Sequence, residues 1–268
     1  MVNFSVIRKL TISVFVFCST MLTSCGIQYY NDFDSRFDWH DDVRFSAPSL
    51  LPDEDYSFIV ISDIHITNEQ DAQRFAEIKT KLETNDKFIV ITGDITQNGT
   101  KNQFKFFLNA VSSIGIPCYP VIGNHDIYAD RGKYWKELIG STVYRLDSSD
   151  TSLFFLDNAN GAFGYEQLEW FENEIKTAEK TTFVFTHENF FVDSSPPDIE
   201  QNTDIRERAR VMALLKKRCS IMFMGHLHKR IIKEFDGVTY IISEASESAN
   251  NYCRVHVSKA GISWEFGS

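Results

Sequence analysis

The chain has 268 residues, 43% of them hydrophobic and 24% charged, which suits one globular domain with a sizeable core and excludes a fibrous or low-complexity protein. A net charge of −10 and a pI near 5.2 repel polyanions, so non-specific coating of nucleic acid is excluded unless bound cations supply local positive charge.

Arg8 and Lys9 precede an apolar run from Leu10 to Leu22, the pattern of a secretory leader. The run is too short to cross a membrane comfortably. It closes in Leu22-Thr23-Ser24-Cys25, which resembles a bacterial lipobox. The resemblance implies removal of residues 1–24, lipidation of Cys25, and attachment of the mature chain to the bacterial cell envelope, facing the periplasm or the surface. Leader removal takes away two positive charges and no acidic residue, so lipid and not charge would hold the chain to the membrane. Cys18 leaves with the leader. Cys118, Cys219 and Cys253 are far apart, which argues against a disulfide framework and leaves room for one bridge at most.

Residues 25–55 are rich in Tyr, Asn, Asp and Phe and show no periodicity, which predicts a tether with some aromatic residues packing on the domain. His40 within it reads as a surface histidine. From Tyr56 to the end of the chain, apolar runs alternate with amphipathic segments, which predicts an α/β domain over 56–268.

The first run, Phe58-Ile59-Val60-Ile61, ends in Ser62-Asp63-Ile64-His65, and the spacing of two turns Asp63 and His65 to one side of an extended backbone. A helix with Phe75, Ile78 and Leu82 inward leads to Phe88-Ile89-Val90-Ile91, which ends in Thr92-Gly93-Asp94. A second helix carries Phe104, Phe107, Leu108 and Val111 on one face, and the strand Pro120-Val121-Ile122 follows, ending in Gly123-Asn124-His125-Asp126. Tyr134, Trp135, Leu138 and Ile139 predict a short helix. Ser152–Leu156 reads as a strand closed by Asp157, which reads as a turn residue or a support to the site.

Gly164–Ala178 reads as a helix, and Thr182-Phe183-Val184-Phe185 as a strand ending in Thr186-His187. After a Pro-containing loop, a helix through Ile205, Ala209, Met212 and Leu215 carries Arg206, Arg208, Arg210, Lys216 and Lys217 on a solvated face. Ser220–Met224 ends in Gly225-His226-Leu227-His228. Two hairpins complete the chain, one turning at Asp236-Gly237 and the other around Lys259-Ala260-Gly261. His256, in an alternating strand, reads as structural.

Five of the seven histidines, His65, His125, His187, His226 and His228, therefore follow apolar strands, together with Asp63, Asp94 and Asn124. In open α/β sheets such positions line the ligand crevice. Imidazole with carboxylate suits zinc, manganese or iron, and the lack of a thiolate cluster excludes a structural Cys-type zinc site. These candidates exceed what one tetrahedral site can use, whereas two ions sharing a carboxylate would use most of them.

The ordered set Asp63-x-His65, Gly93-Asp94, Gly123-Asn124-His125-Asp126, His187 and Gly225-His226-x-His228 resembles the calcineurin-like metallophosphoesterases. The resemblance implies a four-layer α/β/β/α sandwich and two divalent metal ions. By it, Asp63, His65 and His228 hold the first ion, Asn124, His187 and His226 hold the second, and Asp94 bridges them. His125 would face a small phosphoester substrate as charge stabiliser and acid, with Asp126 orienting it and favouring its imidazolium form. Glu188-Asn189 after His187 departs from many relatives. Ile95-Thr96-Gln97-Asn98-Gly99 lacks the tyrosine of purple acid phosphatases and looks more like the cyclic-nucleotide phosphodiesterase branch. The resulting expectation is an envelope-attached hydrolase of phosphomonoesters or phosphodiesters. The alternative is an envelope lipoprotein that keeps the fold to bind metal or a partner without turnover.

Overall fold

The structure, a computed structural model, describes residues 36–37, 55–191 and 204–267. The leader, Cys25 and His40 lie outside the described residues. Among those described, no helix is long and apolar enough to cross a membrane.

Three parallel strands open the fold, β1 (Tyr56–Ile61), β2 (Asp86–Thr92) and β3 (Cys118–Val121), with helices α1 (Glu69–Ala76) and α2 (Lys101–Ile114) as their crossovers. Caps fix the helix ends: the Asn68 side chain accepts from the Gln70 and Asp71 amides at the start of α1, and Thr100 forms a reciprocal box with Gln103 at the start of α2. After the short helix α3 (Lys133–Leu138) come β4 (Tyr144–Asp147), β5 (Thr151–Phe155), α4 (Tyr165–Glu174), β6 (Thr181–Phe185), α5 (Ile205–Leu215) and β7 (Ile221–Met224). Strands β8 (Ile231–Phe235), β9 (Val238–Ile242), β10 (Cys253–Ser258) and β11 (Gly261–Phe266) close the chain as two hairpins.

The strands form two mixed sheets, β11-β10-β1-β2-β3 and β4-β5-β6-β7-β9-β8. Alternation along β1 explains the layering. Phe58 and Val60 face the second sheet and meet Phe183, Phe185 and Phe223, whereas Ile59 and Ile61 face Phe75, Phe104 and Phe107 under α1 and α2. Along β5, β6 and β7, Phe154, Val184 and Met222 instead face Leu168, Phe171, Val211 and Leu215 of α4 and α5. Three apolar interfaces between four layers result, which is the α/β/β/α sandwich. Burial of each such phenylalanine contributes roughly 1.5–3 kcal/mol.

Three local features were not anticipated by periodicity. Strand β4 pairs antiparallel with β5 although its sequence, Tyr-Arg-Leu-Asp, is half polar. Helix α1 runs into a 3-10 turn over Glu77–Lys81, and α4 into another over Ile175–Thr177. Of the two docked residues ahead of the domain, Phe37 packs as expected of an aromatic residue there, and the unanticipated one is Arg36. Arg36 is buried and forms a two-pronged ion pair with Asp157, Nε to Oδ2 at 2.8 Å and Nη2 to Oδ1 at 3.1 Å, while Phe37 packs edge-on against Trp170. Asp157 is thus an anchor for Arg36. Of the cations placed on the α5 face, Arg210 pairs with Glu172 and Lys216 with Asp236, while Arg208 donates to the Phe190 carbonyl. Cys118, Cys219 and Cys253 are buried and unbridged.

Candidate metal centre

The polar strand ends meet at one place. Asp63 lies two residues past β1, Asp94 two past β2, Asn124 three past β3, His187 two past β6 and His226 two past β7. Strands β1–β3 belong to one sheet and β6 and β7 to the other, so the site straddles the carboxyl ends of both.

The loops carrying these residues are laced to each other. The pairing of β1 with β2 continues beyond the strands through Asp63 N to Gly93 O, His65 N to Asp94 O and Ile66 N to Ile95 O. His226 N donates to the Asp63 carboxylate, and Gly225 N to His187 O. This lacing holds an unusual backbone: Asp63, His65, Asp94, His226 and His228 all have φ between 50° and 73°. Such left-handed positions cost side-chain-bearing residues on the order of 1–3 kcal/mol each and persist where surrounding structure imposes them. Two glycines permit the close approach. A Cβ on Gly123 would lie 2.2 Å from Asp94 Oδ1, and one on Gly225 would lie 2.0 Å from Ser62 Oγ.

Three groups of donor atoms result. Asp63, His65 and His228 form one, Asp94, His187 and His226 a second, and His65, Asp94 and His125 a third that links them. Within the first, His228 Nε2 lies 3.3 Å from Asp63 Oδ1 and 3.1 Å from His65 Nε2. Beside the second, Asn124 Oδ1 lies 3.0 Å from His187 Nε2 and 3.1 Å from His226 Nδ1. The Asp94 carboxylate is divided between two tasks. Its Oδ1 accepts from the His125 amide at 2.9 Å, which turns Oδ2 toward His187 Nε2 at 3.3 Å and His65 Nε2 at 3.8 Å. Oδ2 therefore faces both groups.

The donor chemistry fits divalent cations. His187 donates its Nδ1–H to the Thr92 carbonyl at 2.8 Å, so in the neutral ring Nε2 presents a lone pair, and it points at the lone pairs of Asn124 Oδ1 and Asp94 Oδ2. Either a proton or a cation must sit among these atoms. Protonation is the solution available to the bare protein. Burial opposes charge on His187, yet the adjacent Asp94 carboxylate outweighs it and pushes this imidazole up to about 10. Asp94 is also desolvated, but the charge on His187 holds it well below the usual carboxylate range. Burial pushes His226 down to about 4 and also lowers His65, while a hydrogen bond to Asp63 raises His228. Nitrogen lone pairs, two carboxylates and a neutral amide oxygen make the borderline-hard set suited to zinc, manganese or iron.

His125 belongs to the rim. Its Nδ1–H donates to Gln97 O at 2.8 Å, its Nε2 stands 4.0 Å from Asp94 Oδ2, and its ring packs edge-on against His65 at 4.6 Å. The orienting partner of His125 is thus Gln97 and not Asp126. Asp126 is fully buried, and its carboxylate accepts from the amides of Ile95, Thr96 and Gly123 and from Thr96 Oγ1, fastening the loop after β2 to the loop after β3. Burial, reinforced by the Asp94 charge, pushes Asp126 up to about 7 against those four hydrogen bonds, which favour its ionised form. Adjacency in sequence did not become contact, because residues 125–127 form a 3-10 turn that sends successive side chains apart.

Two supports went unread in the sequence. Asn158 Oδ1 accepts from the His187 and Glu188 amides at 3.1 and 2.9 Å, and its Nδ2 donates to Glu188 O, so this one side chain clamps the end of β6. Nothing in the pattern around Asn158 announces that task. Tyr128 stands beside His125 and bonds to Asn124, and its spacing of four from Asn124 was the available signal. Glu188 is buried, with Oε2 unpartnered among the described residues, and burial pushes it up to about 8.

The family model for calcineurin-like phosphoesterases matches residues 56–230, a stretch that contains all seven candidate ligands and His125. The chain belongs to this family. As a calcineurin-like phosphoesterase, it is 25% identical over 171 residues to a protein of Fibrobacter succinogenes described as a probable cyclic nucleotide phosphodiesterase, covering 59% of this chain and 64% of the relative. It is 28% identical over 163 residues to a probable glycerophosphodiester phosphodiesterase of Arcobacter nitrofigilis, covering 53% and 56%. The chain thus spans less than two thirds of the length of either relative. Among solved structures, a dimetal phosphatase from Danio rerio superposes with a TM-score of 0.62 at 11% identity, covering 80% of this chain and 99% of that one, which shows the shared fold.

Proposed function

We propose that this calcineurin-like phosphoesterase is a dimetal-dependent phosphodiesterase of the bacterial cell envelope, tethered by lipid at Cys25. The observation that carries the catalytic part is the placement of Asp94 Oδ2 between the two donor groups, with His125 Nε2 at the open side of the same oxygen. Asp63, His65 and His228 would hold one ion, and Asn124, His187 and His226 the other, with Asp94 shared. Two divalent ions so held supply charge neutralisation for phosphoryl oxygens and acidify a water near neutral pH.

The protein's own groups do the rest. The Nδ1–H bond to Gln97 O fixes the His125 ring with Nε2 turned to the site. A proton on Nε2 can stabilise charge on the phosphoryl group and pass to the departing alkoxide. The Asn124 amide is neutral, which limits negative charge where an anionic substrate must approach. Preference for diesters is supported by the names of the two curated relatives, both phosphodiesterases of small molecules. The envelope part is supported by the charged, apolar and Leu-Thr-Ser-Cys pattern of residues 8–25.

The test is reconstitution with manganese followed by assay on bis(p-nitrophenyl) phosphate and p-nitrophenyl phosphate. Hydrolysis of the diester in preference to the monoester is expected; hydrolysis of neither would overturn the enzymatic reading. Cys25→Ser should move the protein from the membrane to the soluble fraction, and continued membrane attachment would remove the lipid claim.

A further inference from the structure

The exposed ring of Tyr128 belongs to the site. It is 58% exposed, yet it is held at two points: its hydroxyl accepts a hydrogen bond from Asn124 Nδ2 at 2.9 Å, and its ring packs against His125 with centroids 4.6 Å apart and planes tilted by 39°. Both contacts are made within one 3-10 turn, because Tyr128 caps the segment His125–Ile127 that starts at Asn124.

An asparagine side chain has two ends of similar size and opposite chemistry. Its oxygen offers lone pairs to a cation, whereas its NH2 group offers none. In this site the oxygen faces His187 Nε2 and His226 Nδ1, and the nitrogen faces outward. Among the described residues, the hydrogen bond recorded for Asn124 Nδ2 is the one to Tyr128. Partners beyond the first shell of a metal site orient the ligand and commonly set affinity by about 10–100-fold.

We propose that Tyr128 is a positioning residue: its hydroxyl holds the amide nitrogen of Asn124 away from the cation pocket and so selects the ligating end of that side chain. The proposal rests on the dimetal reading given above. It assigns Tyr128 no contact with the reacting atoms. Its effect on turnover passes through Asn124, and its ring helps fix the attitude of His125.

The test is manganese binding to the metal-free full chain, followed by calorimetry, with no substrate present. Tyr128→Phe keeps the ring and, at an exposed position, the fold. It should weaken the ion at Asn124, His187 and His226 by about tenfold and leave the ion at Asp63, His65 and His228 within about twofold. The decisive control is Asn124→Asp, whose two carboxylate oxygens are equivalent, so there is no end to select. In that background Tyr128→Phe should change affinity by less than about twofold, a pattern of coupling expected only if the two residues act together. Unchanged binding in the single variant, equal weakening of both ions, or the same loss in the Asn124→Asp background would each overturn the proposal. If the unaltered chain binds no manganese, it is the dimetal reading that fails, and the two failures are thereby distinct.

Discussion

The two halves of the centre differ in their exposure to water. The His187 side chain is wholly buried, whereas 46% of the His228 side chain is exposed. The buried half is fixed by structure that makes no use of a ligand: Thr92 O takes the Nδ1–H of His187, and Asn158 clamps its backbone. The open half leans on one carboxylate, since Asp63 Oδ1 is the nearest charged neighbour of His228. The His187 side chain is therefore fixed by more neighbours than the His228 side chain, although the backbone of both halves is laced. Asp94 is the side chain that belongs to both.

Removing Asp94 should erase the distinction and gives the largest effect. Asp94→Ala is expected to lose both ions on dialysis and to lower turnover by more than about a thousandfold, beyond the loss typical of one transition-state hydrogen-bond donor. Metal analysis of the purified variant checks this; retention of one full ion would mean the halves are independent. His125→Ala comes next. It should retain both ions while turnover falls by about 10²- to 10⁴-fold, the usual range for a lost general acid. Metal loss comparable to that in Asp94→Ala would place His125 among the ligands instead.

Arg36 offers a way to strain one half alone. Arg36→Ala leaves the Asp157 carboxylate buried without its two-pronged partner, and breaking such a pair costs about 3–5 kcal/mol. The neighbouring Asn158 is the clamp on His187, so binding at the buried half should weaken more than at the open half. Urea denaturation reads the first effect and manganese titration the second. A midpoint equal to that of the unaltered chain would show that the Arg36–Asp157 pair adds nothing to the domain.

These cases also show what a sequence displays and what it hides. The strands were legible because they are buried on both faces and read as continuous apolar runs, and the seven ligand candidates were legible because polar residues interrupt those runs at their carboxyl ends. Strand β4 was hidden by its polar composition, since an edge strand needs only one apolar face. The partner of His125 was hidden because Gln97 lies 28 residues away and acts through its backbone carbonyl, an atom every residue has. Arg36 was hidden for a similar reason: its value lies in Asp157, 121 residues distant, and nothing periodic surrounds it. Long-range hydrogen bonds to main-chain atoms leave no mark on pattern or composition.

The smallest effect, and the finest test of the contrast between halves, is in protons. In the metal-free protein His187 is pushed up to about 10, from an ordinary value near 6.5. A folded-state value above the unfolded one means that the stabilisation is complete below about pH 6.5 and is lost as pH rises through about 10. Asp126 and Glu188, raised to about 7 and about 8, act in the same direction over a lower window, their contributions fading as pH rises from about 4 through those values. The thermal midpoint of the metal-free chain should therefore fall between pH 7 and pH 10. Cation binding follows the opposite course, because His187 must release its proton to offer Nε2, and affinity at the buried half should climb by about tenfold per pH unit over that interval. At the open half the hydrogen bond to Asp63 raises His228 against its partial burial, so that half also releases protons on binding. Manganese calorimetry in buffers of different ionisation enthalpy measures the protons released. About one proton for the buried half is expected; heats independent of buffer would mean that Nε2 of His187 is already bare, and that the buried half is held open by something other than a proton.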